Sequence, residues 1–399
     1  MNTIAPDSRL TVTFTLSWQS GDISHQERLH ADPVSVWRDV LDPRLVKQLR
    51  GQGEGATASV ALAAAAFPTP RDPRRIVRVR PSQVQTVTGQ PFRPRVGRFY
   101  PQGLLRGVGG IYRVTTAPCR YLGAEDELLV FDCNHPLAGR DLRLTAEVRA
   151  LHPPHKERGG RCEDWLDQIC ANGPGMQARP ETGEVDWMDA EGFTCAEQRP
   201  DAEFYRQPRL VQHLDSTCRQ VLRRQYGRLI APGSRVLDLM SSWVSHLPEE
   251  LDLAELTVLG MNAEELDRNP RATTRLVQDV NLDPRLPFGD ACFDAVLCTA
   301  SVEYLRDPVR VLTEAGRVLR PGGLIALAFS NRWFPPKVVR IWTELHEFER
   351  LGLATELLRR TGSFEGLHTL SHRGEPRPFD DPHPLPFSDP LYLVWATKR

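Results

Sequence analysis

The rhythm of residues 235–329 constrains the fold most. Short runs that are apolar on both faces (Arg235–Leu239, Leu256–Leu259, Leu276–Val277, Ala295–Cys298 and Leu324–Phe329) alternate with polar loops and with the helical stretch Pro308–Leu319. Strands buried on both faces and separated by helices predict a doubly wound, mostly parallel α/β sheet. Such sheets hold ligands beyond the carboxyl ends of their strands, where the strand order reverses. "RLVQHLDSTCRQVLRRQYGRLIAPGS" has the spacing of an amphipathic helix leading into this region and ending near Pro232-Gly233. "DPLYLVWATKR" reads as a final strand after the Pro-rich loop "EPRPFDDPHPLPFSDP".

The first half has a different period. In "RLTVTFTLSWQSGDI" the residues Val12, Phe14, Leu16 and Trp18 share one face, as in a half-buried strand. "IVRVRPSQVQTV", "GIYRVTTA", "DELLVFD" and "DLRLTAEVRAL" are further strand-like runs, and "DPVSVWRDVLDPRLVKQLRG" is spaced as a helix. Residues 1–151 therefore read as mainly β with one or two short helices. A chain of 399 residues is long for one domain. The change of rhythm divides it into a domain at 1–151, a linker and irregular segment at 152–200, and a domain at 201–399. The linker opens on "HPPHKERGG" and the irregular segment contains the loop "NGPGMQARPETG".

Composition excludes several function classes. The net charge is −1, with 40% hydrophobic and 25% charged residues. No run approaches the ~20 apolar residues of a membrane span, and Met1–Arg9 lacks the apolar centre of an export signal. The first 150 residues carry +6 and the remainder −7, and neither value calls for nucleic acid. The eight cysteines contain no C-x-x-C pair, which argues against a zinc site or disulfide framework and for reduced thiols in a cytoplasm. Cys298 reads as a packing residue.

"VLDLMSSWVSHLP" begins as a nucleotide-binding strand does. Asp238 ends it, a second strand ends at Gly260-Met261-Asn262, and "LVQDVNLDPRLPFGDACFDAVLC" and "RVLRPGG" follow in order. This ordered set resembles class I S-adenosylmethionine-dependent methyltransferases over roughly the last 200 residues. The resemblance implies a Rossmann-like fold with S-adenosyl-L-methionine as cofactor. It places Asp238, Asn262, Asp279, Val280 and Thr299 around one crevice, with the Asn262 position accepting from the ribose and the Asp279 position from the adenine amino group. Met240-Ser241-Ser242-Trp243-Val244 stands where the family has Gly-x-Gly-x-Gly. Its two serines would add hydroxyls for the methionine carboxylate, and Glu264 or Glu265 stands near enough to supply the missing ribose acid. Tyr205 and Arg209 belong to a segment that lids the cofactor in related enzymes. Arg209 would pair with the carboxylate, and Arg209 and His213 would share a helix face. Candidates for a general base are His213, His246 and Tyr304, although a thiol or other ionised acceptor needs none. The implied acceptor is a small molecule, with neither nucleic acid nor membrane as partner.

"LVFDCNHPLAGRDLRLTAEVRAL" contains Asn134-His135-Pro136-Leu137-Ala138-Gly139. This turn resembles that of FKBP-type prolyl isomerases of the SlyD kind, which implies an α+β, mainly β domain with a flap inserted at about 68–128. His25 or Gln26 stands near the family's buried Asp, and Trp37 is the only aromatic residue in Pro33–Ala66. The His/Cys-rich metal-binding tail is absent as well. The resemblance thus implies a module that binds a protein partner without isomerising proline. The competing reading is a folding helper whose methyltransferase-like half is structural or modifies protein clients.

Overall fold

A computed structural model of the chain describes residues 3–64, 70–86, 89, 92–153, 159–180, 183–189 and 191–399. Residues 154–158 of the expected linker and 181–182 of the expected loop lie outside these. The chain forms two compact units. The first comprises Met1–Gly21, His25–Met188 and Leu345–Gly352; the second comprises Asp22–Ser24, Asp189–Glu344 and Leu353–Arg399. Among the described residues no helix is long and apolar enough to cross a membrane.

The first unit contains β1 (Arg9–Ser20), β2 (Ile23–Ser35), α1 (Pro43–Leu49), β3 (Thr57–Leu62), β4 (Ile76–Val79), β5 (Phe99–Pro101), β6 (Pro118–Glu125), β7 (Leu128–Asp132), β8 (Leu142–His152) and α2 (Trp165–Cys170). Its main strands run in the order β2-β1-β8-β3, and a separate sheet runs β4-β7-β6-β5. β1 and β8 are antiparallel, with Leu16 opposite Leu144. Val12, Phe14, Leu16 and Trp18 all point into the core, as their alternation requires. The stretch 32–51 is only partly helical. Its first residues complete β2, and α1 starts after Asp42, whose side chain accepts from the Arg44 amide with Pro43 at the first helical position. "GIYRVTTA" forms no strand: Tyr112 and Val114 are 71% and 86% exposed, so its alternation has no buried face to serve.

Asn134 clasps the base of the smaller sheet. Its Nδ2 donates to Asp132 Oδ1 (2.7 Å) and to the Asp72 carbonyl (3.0 Å), and its Oδ1 accepts from the Asp72 amide (2.9 Å). One side chain thereby ties together two chain segments that enter and leave that sheet.

The second unit contains α3 (Asp201–Phe204), α4 (Ser216–Leu229), β9 (Ser234–Leu239), β10 (Leu253–Gly260), α5 (Ala263–Asp267), β11 (Thr274–Val277), β12 (Phe293–Thr299), α6 (Pro308–Val318), β13 (Leu319–Phe329), α7 (Arg340–Glu344), β14 (Phe364–Arg373), β15 (Leu391–Lys398) and the part of α8 (Glu347–Arg360) beyond Gly352. Its strand order is β11-β10-β9-β12-β13-β15-β14. The first five strands are parallel, and β15 runs antiparallel to β13 and to β14. The order reverses between β9 and β12, which puts the switch point at the end of β9. There Asp238 lies opposite Val258 on one side and Leu297 on the other.

The leading helix is shorter than its spacing suggests. α4 starts at Ser216, capped by Asp215, whose Oδ1 accepts from the Cys218 amide at 2.8 Å. That cap satisfies an otherwise orphaned helix amide and fixes the start there. Arg209 and His213 therefore precede the helix and do not form a helical pair.

Candidate active site

A cleft of about 1120 Å³, its open mouth included, lies at the carboxyl ends of β9, β10, β11 and β12 within the second unit. Asp238, Met240, Ser241, Ser242, Asn262, Asp279, Val280 and Thr299 line it, as do Tyr205, Arg209, His213, His246 and Tyr304. Trp243 does not: its indole Nε1 donates to the Val211 carbonyl at 3.2 Å, which turns the ring toward the segment preceding α4.

The loop after β9 manages without glycine by two local devices. Met240 adopts φ +58°, the left-handed conformation that glycine takes without steric cost. Such a residue carries about 1–3 kcal/mol of backbone strain. Across from it, Gly260 ends β10. A Cβ there would lie 2.1 Å from the Ser241 carbonyl oxygen, so the close approach usual for this loop falls on the neighbouring strand. The Ser241 amide fixes that approach by donating to the Leu259 carbonyl at 2.7 Å.

The two serine hydroxyls hold acids. Ser241 Oγ donates to Asp238 Oδ2 and Ser242 Oγ donates to Glu265 Oε2, both at 2.6 Å. A hydroxyl has one proton to donate, so in this arrangement neither serine is free for the methionine carboxylate. The amides of Ser242 and Val244, in contrast, have no hydrogen-bond partner among the described residues. Asp238 is 2% exposed, and burial pushes its carboxyl up to about 6 while the hydroxyls of Ser241 and Ser245 hold it down.

Asn262 reaches the cleft but is engaged within the protein. Its Oδ1 caps α5 by accepting from the Glu265 amide (3.1 Å), and its Nδ2 donates to the carbonyls of Tyr205 (2.9 Å) and Arg206 (3.0 Å). An acid there could not donate to those two carbonyls, which accounts for the amide. Glu265 brings a carboxylate to the same cleft. Ser242 Oγ and the Arg209 amide (2.7 Å) occupy two of its lone pairs and leave others toward the cleft. Asp279 binds the amides of Asn281 and Leu282 through Oδ1 only.

The Arg209 guanidinium packs 4.4, 5.4 and 5.2 Å from the ring centres of Phe204, Tyr205 and Phe334. Its Nη2 donates to the Phe204 carbonyl at 3.2 Å, and its buried Nη1 has no partner among the described residues. Burial lowers the pKa of His213, and burial aided by Arg219, Arg223 and His213 lowers that of His246 to about 4. Both rings are neutral at pH 7 and able to accept a proton. Burial drives Tyr304 well above its ordinary value, and its oxygen accepts from the Phe334 amide at 2.8 Å. Tyr304 therefore stays protonated and is a hydrogen-bonding group, not a base.

Sequence reasoning missed Lys337, Asp201 and Phe334. Lys337 is 3% exposed; its Nζ pairs with Asp201 Oδ1 (2.9 Å) and donates to the carbonyls of Glu197 (3.2 Å) and Arg199 (2.6 Å). Arg306 also pairs with Asp201 at 2.7 Å, and Asn281 Nδ2 donates to it at 3.1 Å. These bonds anchor the start of the segment that carries Tyr205 and Arg209. Nothing in the spacing of residues 201 and 337 links them; only the fold does.

Residues 244–327 match the family model described as a methyltransferase domain. The chain is 29% identical over 114 residues to a ubiquinone biosynthesis O-methyltransferase of Xanthomonas campestris pv. campestris, a match covering 26% of this chain and 46% of that protein. It is 38% identical over 77 residues to the ubiquinone/menaquinone biosynthesis C-methyltransferase UbiE of Laribacter hongkongensis, covering 19% and 30%. The chain thus spans less than half the length of these curated relatives. Among solved structures, a SAM-dependent methyltransferase of Thermotoga maritima aligns with 46% of this chain and 92% of its own, at 16% identity and a TM-score of 0.34. Residues 244–327 of the second unit thus match a methyltransferase domain, a similarity that indicates S-adenosylmethionine as the cofactor.

Proposed function

We propose that the protein transfers a methyl group from S-adenosylmethionine to a small-molecule acceptor in the cleft of the second unit. One observation carries this reading: Asp238, Glu265 and Asp279 converge at the strand ends on one cleft that also holds the unpartnered Nη1 of Arg209. These groups fit the cofactor. Asp238 is an acceptor for its ammonium group, and Glu265 for its ribose hydroxyls. Asp279 Oδ2 is an acceptor for its adenine amine. Arg209 Nη1 and the free amides of Ser242 and Val244 are donors for its carboxylate. When bound, the cofactor supplies an electrophilic methyl group. Tyr304, Phe334 and His213 face the same cleft, and His213 stacks edge-on to Phe334 at 5.0 Å. His213 is the better base of the two histidines, because a group titrating near 4 is a weak proton acceptor at neutral pH. The proton of a hydroxyl acceptor passes to His213, whereas a thiolate acceptor needs no such transfer. The two quinone-pathway relatives methylate oxygen and carbon according to their names, and a hydroxylated acceptor is the class we favour.

Calorimetry with S-adenosylhomocysteine tests this reading. We expect a micromolar dissociation constant, about −8 kcal/mol, and Asp279→Ala should weaken it by about 1–3 kcal/mol. The absence of both heat and thermal shift at millimolar ligand would remove the enzyme reading.

For the first unit we favour an FKBP-like module, residues 1–151 with an insert at about 68–128, that binds a protein partner. The Asn134–Gly139 turn and the separate β4-β7-β6-β5 sheet within that span support this. At the position near the family's buried Asp, His25 accepts from or donates to Ser20 Oγ at 2.6 Å and stacks on Trp18 at 5.2 Å. A stacked, buried imidazole favours a binding role over proline isomerisation.

A further inference from the structure

Two of the eight cysteines face each other across the smaller sheet of the first unit. β6 and β7 run antiparallel, with Tyr121 opposite Phe131 and Arg120 opposite Asp132. One step further in that register sets Cys119 against Cys133. The backbone bonds identify the kind of pair. The Tyr121 amide donates to the Arg98 carbonyl (3.0 Å), the Tyr121 carbonyl accepts from the Gly97 amide (2.7 Å), and the Ala117 carbonyl accepts from the Gln102 amide (2.8 Å). Residues 117 and 121 thus turn their backbone groups toward the β5 side, and by alternation so does Cys119, which pairs with Tyr100 of β5. Cys133 turns the other way, its amide donating to the Arg75 carbonyl at 2.9 Å. The two cysteines therefore form a non-hydrogen-bonded pair. Residues so placed have Cα atoms about 4.5 Å apart and side chains on one face, within the roughly 4.4–6.8 Å that a disulfide spans. A bond outside the ladder agrees: Gln102 Nε2 donates both to the Pro118 carbonyl (3.0 Å) and to the Cys133 carbonyl (3.3 Å), so one amide group bridges the two chain segments. Both side chains enter the same apolar cluster, and both are free thiols.

We propose that Cys119 and Cys133 are a redox pair, which hydrogen peroxide converts to a cross-strand disulfide tying β6 to β7 next to the Asn134 clasp. The oxidant must be small, because Cys119 is 0% and Cys133 4% exposed. Cys133 is the attacking sulfur. The neighbouring Cys119 thiol holds it below its ordinary value, whereas the same contact and burial push Cys119 up. Cys119 Sγ also donates to the Tyr100 carbonyl at 3.3 Å, which keeps its proton in place. The Cys133 thiolate attacks one peroxide oxygen; an S–O bond forms, the O–O bond breaks, and the departing hydroxide takes up the proton that Cys133 released, giving water and a sulfenic acid. Cys119 sulfur then attacks the Cys133 sulfur; the S–S bond forms, the S–O bond breaks, and hydroxide leaves with the Cys119 proton as a second water. The two thiols together lose two electrons and the peroxide gains them. The disulfide closes the β6–β7 hairpin covalently and so restricts the opening of the small sheet. None of this depends on the methyltransferase reading of the second unit.

Peroxide treatment of the reduced full chain, once in native buffer and once in denaturant, tests this at a dose that oxidises the exposed Cys162. The samples are alkylated, digested with trypsin without reduction and read by mass spectrometry. Cleavage after Arg113, Arg120 and Arg140 puts Cys119 in residues 114–120 and Cys133 in residues 121–140, so their disulfide joins two separate peptides. We expect that joined species from native buffer, lighter by two hydrogens than its two thiol peptides together and split by dithiothreitol. In Cys119→Ser, Cys133 should stop at the sulfenic acid, which dimedone traps; in Cys133→Ser, Cys119 should remain a thiol. Native samples in which Cys162 is oxidised and the two peptides stay unlinked overturn the proposal. So does a link that forms only in denaturant, because the folded sheet would then not be what brings the sulfurs together, and so does a link from either cysteine to any other. These outcomes are read on the wild-type chain and stand even where a serine variant fails to fold.

Discussion

Asp238 should make cofactor binding depend on pH in a calculable way. Its carboxyl is raised from an ordinary 3.8 to about 6 because the side chain is shut away from water. A ligand ammonium beside it favours the carboxylate, so the complex holds Asp238 ionised. The free protein must then release the proton in order to bind. At pH 5 a group titrating near 6 is about nine-tenths protonated, and at pH 7.5 almost none of it is. Affinity for S-adenosylhomocysteine should therefore fall about tenfold between pH 7.5 and pH 5, with close to one proton released per ligand at the lower pH. Calorimetry at pH 5 in two buffers of different ionisation enthalpy measures that release directly. His246, titrating near 4, stays mostly neutral over this window, and His213→Gln removes the other imidazole in the cleft. In Asp238→Asn both the slope and the proton release should disappear. The sign for folding is opposite. A raised carboxyl disfavours the folded state once pH exceeds the ordinary value, and the penalty is complete above about 6. The unliganded Asp238→Asn protein should accordingly be more stable than wild type at pH 7.5, by about 1–3 kcal/mol. A flat affinity profile with no proton release at pH 5 would refute the assignment of the ammonium site to Asp238.

Three further outcomes follow from the same geometry. Gly260→Ala places a Cβ 2.1 Å from the Ser241 carbonyl; it should lower stability by about 1–3 kcal/mol and impair S-adenosylhomocysteine binding, read by thermal unfolding and calorimetry. Ser242→Leu should abolish S-adenosylhomocysteine binding with the fold intact by circular dichroism, whereas Ser242→Gly should stay within about tenfold; a tolerated Leu would place the loop away from the ligand. The full chain should show little acceleration of a proline-limited refolding reaction, and a rate comparable to an active FKBP-type enzyme would favour the folding-helper reading.

The sequence was most legible where period and burial coincide. The runs Arg235–Leu239 and Ala295–Cys298 are mainly apolar because both faces of their strands are covered, and Pro308–Leu319 shows its helix because its buried residues recur at helical spacing. The start of α4 was misread because helical spacing continues upstream of Asp215, while a cap, not periodicity, decides where a helix begins. Strand β14 and helix α8 had no counterpart in the reading. "FEGLHTLSHR" mixes glycine and histidines into a strand whose central residues are nevertheless buried. Within the site, residues near the strand ends were found because the fold dictates where strands end. The roles of Ser241, Ser242 and Asn262 were not. A serine that can donate to a ligand can equally donate to a neighbouring acid, and only three-dimensional placement decides which. Lys337 and Phe334 reach the cleft from beyond β13, and no spacing rule connects them with Asp201 or His213.

The loop after β9, built without glycine, also has an entropic consequence. Each non-glycine residue there narrows the range of backbone conformations open to the unfolded chain, an effect of about 0.4–1 kcal/mol per position where the folded backbone is tolerated. The hydroxyls of Ser241 and Ser242 narrow the folded loop as well, each holding an acid at 2.6 Å. A ligand arriving at such a loop finds side chains that have already surrendered their freedom. Less order has to be created on association, so its entropic cost should be smaller than for a loop of glycines, which must be stilled when the ligand arrives.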